Sequence, residues 1–171
     1  MTTIKIYFRN HSLMLLWLLA LLSSGCKKNK DSDDPYFISF LANGEKVEFK
    51  GESNLSAEFQ FTTNIYTANI TAITDPADMS LQLYSSREIK PGTYSGYSYN
   101  SGMLTGAVIG YSPDGIIIYL SETELSDDPT IIITELDDDI IKGSFEGTIK
   151  SAGQMDIEIT QGEFQVKITD Q

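Results

Sequence analysis

The sequence predicts an all-β fold, a single antiparallel sandwich or barrel-like domain of about ten short strands. Three observations carry this. Most segments after residue 36 alternate apolar and polar residues with a period of two, the pattern of strands with one face on a core. No segment keeps a helical period. Turn residues recur between the runs at the short spacing of antiparallel sandwiches and barrels.

The elements follow in order. Lys5 and Arg9 make a short positive start, and Leu13 to Leu22 is an unbroken apolar run of ten residues. Such a run is too short to cross a hydrocarbon core of about 30 Å as a helix. Ser23, Ser24 and Gly25 come next, directly before Cys26, the only cysteine in the sequence. A charged start, an apolar run and small residues before a cut form the secretory signal pattern. Residues 1–25 are therefore expected to be removed, with cleavage between Gly25 and Cys26. Leu22-Ser23-Ser24-Gly25-Cys26 resembles the lipobox of bacterial lipoproteins, which usually carry Leu where Ser23 stands. The resemblance implies acyl chains on Cys26 as a membrane anchor. Each buried methylene contributes about 0.8 kcal/mol, and two or more chains make such anchoring stable.

Residues 26–35 hold Lys27, Lys28, Lys30, Asp31, Asp33 and Asp34 and no apolar side chain after the cysteine. That composition predicts a flexible tether. Residues 36–171 are the expected domain. Tyr36 to Leu41 and Lys46 to Lys50 flank Asn43-Gly44, the strongest short hairpin signal, because both residues tolerate positive φ. Ala57 to Phe61 alternates, as do Tyr66, Ala68, Ile70 and Ala72, then Leu81 and Leu83. Met103 to Tyr111 and Ile116 to Leu120 are expected strands around the turn Ser112-Pro113-Asp114-Gly115. Ile131-Ile132-Ile133 reads as a strand that is buried on both faces or central in its sheet. Asp137-Asp138-Asp139 reads as a loop. Phe145 and Ile149 share a face, and so do Met155, Ile157 and Ile159. Gln161-Gly162 is expected to turn into a last strand with Phe164, Val166 and Ile168 inward. Its outward Glu163 and Lys167 suit an edge strand guarded against aggregation.

Removing the leader changes the inventory. The only His (His11) and the only Trp (Trp17) go with it. Ten Lys and Arg then face twenty-four Asp and Glu, a formal charge of −14 over 146 residues. That balance argues against nucleic acid, which needs clustered cations on the protein. It argues equally against anionic lipid surfaces.

Two blocks carry a second resemblance. Ile140 to Ile168 contains GSFEGTI and ITQGEFQVKI, and LANGEKVEF and KPGTYSG lie upstream. Together they resemble small surface lipoproteins of the Bacteroidota whose function is uncharacterised. The resemblance implies an outer-membrane, lipid-anchored protein facing the cell surface. In that group an acidic patch after the cysteine marks surface export, and Asp31, Asp33 and Asp34 look like it. It transfers no catalytic residue, and its glycines and phenylalanines read as structural.

The candidate chemistry is narrow. Without His, neither Ser-His-Asp nor Cys-His catalysis is available to the domain. Zinc needs Cys or His, and no phosphate-binding glycine motif is present. Asp127-Asp128 and Asp137-Asp138-Asp139 lack the spaced ligand pattern of calcium loops. They read as solvated acids first, with a structural calcium as the lesser alternative, and no metal or cofactor is expected. Asp156, Glu158 and Glu163 alternate outward, which leaves a carboxylate-pair hydrolase acting on polysaccharide as an alternative rather than the first choice. Tyr94, Tyr97 and Tyr99 crowd a Gly/Ser-rich stretch expected to be a loop. Tyrosine offers flat area and a polar tip at low entropy cost, so these three are the candidate ligand-binding residues. The expected function is a non-enzymatic binding or accessory module for a glycan, a peptide or an outer-membrane complex. A purely structural envelope role is the remaining alternative.

Overall fold

The structure, a computed structural model, describes residues 34–100, 103–121 and 129–169. Gly25, Cys26 and the tether up to residue 33 lie outside these, as do Asp127 and Asp128. Among the described residues the chain is all-β, with one 3-10 turn at Glu52–Asn54.

Two antiparallel sheets face each other. The first contains β1 (Phe37–Ala42), β2 (Glu45–Lys50), β6 (Gly92–Ser95), β10 (Thr130–Leu136), β11 (Ile140–Ile149) and β12 (Ile157–Lys167), in the order β2-β1-β12-β11-β10-β6. The second contains β3 (Leu55–Thr62), β4 (Ile65–Ile73), β5 (Asp78–Ser85), β7 (Tyr97–Asn100) and β8 (Met103–Ser112), in the order β3-β4-β5-β8-β7. The two-residue β9 (Tyr119–Leu120) pairs with β8. The sheets are not closed into a barrel, which resolves the choice left open by the sequence in favour of a sandwich.

Most of the alternating apolar residues point inward as expected, but Phe61 is exposed, and so is Met155, which precedes β12 and does not share the inward face of Ile159. Ile38, Ile70, Leu81, Leu83, Ile109 and Ile141 are fully buried. Each such side chain contributes roughly 1.5–3 kcal/mol over exposure. Phe40 is the contact between layers: its ring meets Phe145 of its own sheet at 5.7 Å and Tyr111 of the facing sheet edge-on at 5.2 Å. Burial pushes the Tyr111 hydroxyl above its ordinary pKa, because the phenolate would lose its hydration.

Hydrogen bonds stitch the layers at two corners. Leu120 and Lys150 exchange a pair of backbone bonds at 2.9 and 2.8 Å. Thr169 N–H donates to the Ala57 carbonyl at 3.0 Å, beside the Ala57–Ile168 bridge. A third crossing is made by Gly96. Its φ of +67 breaks one extended stretch into β6, on the first sheet, and β7, on the second. Only a residue without Cβ adopts that angle freely, and strands that switch sheets make sandwich corners in this way.

Several sequence expectations change. Asn43-Gly44 does turn the first hairpin, at φ 50 and 85. Gln161-Gly162 does not turn: β12 runs through it, and Gln161 at φ 52 sits in a bulge facing the register shift between Phe145 and Gly147. β12 is not an edge but lies between β1 and β11. Its outward Glu163 and Lys167 report a solvated face, which a central strand of a two-layer sandwich also has. Ile132 is 37% exposed, so β10 is covered on one face only, although it is central, as the alternative reading expects, between β11 and β6. Ile116 to Ile118 form no strand, because Asp114 Oδ1 accepts the N–H groups of Ile116 and Ile117 at 2.9 and 2.8 Å and wraps the chain into a bend.

Candidate functional site

The site grows from one strand that outruns its cover. Leu55, Ala57, Phe59 and Phe61 share a face of β3. Leu55 and Ala57 are buried, Phe59 is half-buried and Phe61 is 58% exposed. The facing sheet reaches β3 at Ile168, which bridges to Ala57, and the last aromatic residues extend past it. Thr63 and Asn64 then turn the chain at φ 52 and 67. Two consecutive left-handed residues make the hairpin turn whose twist suits flanking strands. The turn sets Phe61 opposite Tyr66 on β4, with ring centroids 4.4 Å apart and planes tilted by 36°.

This aromatic pair forms one wall of a groove of about 490 Å³. That volume lies in the range of small-ligand sites. Ile89, Leu136 and Ile168 supply its apolar lining. Gln60 and Thr67 add polar groups, and Glu88, Asp137 and Asp138 supply carboxylates. No Lys or Arg is among the lining residues.

The three acids differ. Asp137 Oδ1 accepts the backbone N–H of Asp139 at 2.9 Å and of Ile140 at 2.7 Å, which closes the β10–β11 turn. Those bonds hold its carboxyl below the ordinary aspartate pKa, because they favour the charged form. Glu88 pairs with Lys90 at 3.0 Å, both largely exposed, so the pair adds little to stability. Asp138 makes no hydrogen bond or ion pair among the described residues.

The lowered Asp137 pKa carries a sign. Its contribution to stability is present above the unfolded aspartate value of about 3.9 and fades as pH falls through the lower folded value. Asp137→Asn is therefore expected to flatten the acid limb of stability against pH, measured as urea midpoints between neutral pH and pH 3. An unchanged limb would mean that the turn does not draw on the ionised carboxylate.

The tyrosines expected to share a loop lie on strands instead. Tyr94 is on β6, opposite Ile131. Tyr97 and Tyr99 are on β7, opposite Gly106 and Leu104 of the other sheet, and their side chains lie outside the described part. Gly96 is what separates them, a role that the sequence pattern does not reveal. The Tyr94 hydroxyl accepts the Lys90 N–H at 2.9 Å and donates to the Lys90 carbonyl at 2.8 Å. Both of its polar functions are thus engaged in fastening the β5–β6 connection. Tyr94→Phe is expected to cost about 1 kcal/mol and to speed amide exchange at Lys90 in hydrogen-exchange measurements. A neutral effect on both would overturn that fastening role.

Phe61 and Tyr66 were not singled out by sequence because the alternation of β3 makes Phe61 look like core. The turn that exposes it carries only one favourable residue, Asn64. A second hollow, of about 260 Å³, lies by Ile73, Ile118, Leu120 and Ser112. It is mainly apolar, with Ile118 and Ile73 exposed beside it. The Ser112 hydroxyl there is buried with no hydrogen-bond partner among the described residues. Among the described residues, no three acidic or other metal-ligating side chains converge on one point. No helix there is long and apolar enough to cross a membrane. No protein-family model, curated protein or solved structure matches this chain.

Proposed function

We propose that this chain is a lipid-anchored envelope protein, held on the outer membrane through Cys26, whose sandwich is a non-enzymatic binding or accessory module. Its ligand is a glycan, a peptide or part of a neighbouring membrane complex. The observation that carries the reading is the groove beside β3. An aromatic pair, the exposed Phe61 against the half-buried Tyr66, stands on a fixed hairpin next to polar groups and carboxylates.

Two of the three acids of the groove do not suit the proton-donor role in hydrolysis. A glycosidase needs one carboxyl with a raised pKa to act as acid. Asp137 is shifted in the opposite direction, and Glu88 is paired with a lysine.

The module reading is tested on an array of glycans and peptides probed with the full-length protein in detergent and with Phe61→Ala. Binding that Phe61→Ala abolishes supports it. Binding that survives unchanged, or no binding at all, overturns it. The anchor is tested separately by mass spectrometry of the N-terminal peptide, where an unmodified Cys26 thiol overturns that part.

A further inference from the structure

We propose that the groove selects a cationic group, the Lys or Arg side chains of a basic segment on a neighbouring envelope polypeptide. This rests on the binding-module reading and deepens it. Two independent features of the same groove favour a cation. The first is the Phe61–Tyr66 pair, whose ring faces carry the negative side of the aromatic quadrupole and attract an ammonium or guanidinium. Phe61 keeps over half of its surface open to receive one. The second is charge. The groove is lined by Glu88, Asp137 and Asp138 with no cation among its lining residues, although Lys90 lies against Glu88 and Lys142 is near Asp137. The chain beyond the leader carries fourteen more acids than bases. An acidic hollow in such a field concentrates cations and repels anions.

A neutral sugar would use the stacking surface but gain nothing from the field. An anionic ligand would be opposed by it. The apolar lining of Ile89, Leu136 and Ile168 suits the methylene stem of Lys or Arg, which packs on apolar surface while its head stays polar.

The groove lies near the start of the described chain. Asp34, where the described chain starts, accepts the Glu52 N–H at 2.8 Å, and Glu52 pairs with Lys167. The next residue, Ile168, lines the groove and donates its N–H to the Asp139 carbonyl at 2.8 Å. The groove is therefore at the end of the sandwich at which the described chain begins.

The test uses the full-length protein in detergent and fluorescence anisotropy with a labelled Gly-Arg-Gly-Lys-Gly-Arg peptide. Its Glu-for-Arg/Lys counterpart and a neutral β-linked glucose hexamer serve as competitors. The expected result is salt-sensitive binding of the basic peptide alone. Phe61→Ala should weaken it about fivefold, and Asp138→Asn should weaken it about twofold at low salt and less at high salt. Both residues are exposed, so neither change threatens the fold. Basic-peptide binding that ignores Phe61→Ala would be diffuse attraction to an acidic surface and would overturn the proposal. Binding of the hexamer instead, lost in Phe61→Ala, would overturn the cation but keep the binding module. If neither probe binds while the array yields a Phe61-dependent ligand, the cation proposal fails alone. If the array is also blank, both fail.

Discussion

Phe40→Ala is expected to lower the unfolding free energy by about 3–5 kcal/mol, the usual range for emptying an aromatic site in a core. The size follows from position. Phe40 is 2% exposed and its ring meets three others: Phe49 at 6.4 Å, Tyr111 at 5.2 Å and Phe145 at 5.7 Å. Tyr111 belongs to the facing sheet, so the cavity would open between layers rather than within one. Extended β strands on both sides are tied at the corners by backbone bonds between Leu120 and Lys150 and between Thr169 and Ala57. The layers are thereby hindered from collapsing onto the void. Urea denaturation of the two proteins gives the difference directly, and the melting temperature should fall by roughly 10 °C. A loss below about 1 kcal/mol would show that the core re-forms around the gap and that Phe40 is not the link between the sheets.

The second large effect has the opposite sign to the general rule. Glycine inside a strand is ordinarily worse than alanine by about 0.5–1 kcal/mol. Gly143→Ala and Gly162→Ala should instead destabilise by about 2–3 kcal/mol each, as overpacked cores do. The two sites are reciprocal. On β11 and β12, Gly143 pairs with Phe164 and Phe145 pairs with Gly162, so each phenyl lies over the bare backbone of the other strand. A Cβ on Gly143 would come 2.6 Å from Phe164 Cζ and would also strike the Ile132 carbonyl oxygen. A Cβ on Gly162 would come 2.8 Å from the Phe145 ring and strike that residue's carbonyl oxygen. Rings can turn, but carbonyls in a ladder move only with their strand. Thermal unfolding of each variant checks this. A gain in stability would mean that the rings stand off the strands.

These two glycines also show how far the sequence could be read. The GSFEGTI and ITQGEFQVKI blocks are visibly structural, with phenylalanines inward and glycines alongside them. What the pattern misassigns is the job of Gln161-Gly162. A dipeptide tolerant of positive φ reads as a reversal of the chain, whereas here it bulges one strand beneath Phe145. The local conformations of a turn and a bulge overlap, and only the partner strand distinguishes them. The same holds for Gly96, which divides the tyrosine stretch between two sheets, and for β12, whose polar outer face is common to edge and central strands.

Fold class, the first hairpin and the inward face of most strands were determined by the sequence alone. Each depends on period-two burial or on the backbone freedom of one or two adjacent residues, and both are local properties. The length of strand that the facing sheet covers is not local. Phe59 and Phe61 satisfy the same alternation as Leu55 and Ala57, yet only the assembled sandwich leaves Phe61 beyond the last contact with Ile168. The tertiary structure therefore decided where the groove lies. An aromatic residue on an apolar face becomes core or binding wall according to what stands opposite, and that is set by strands distant in the chain.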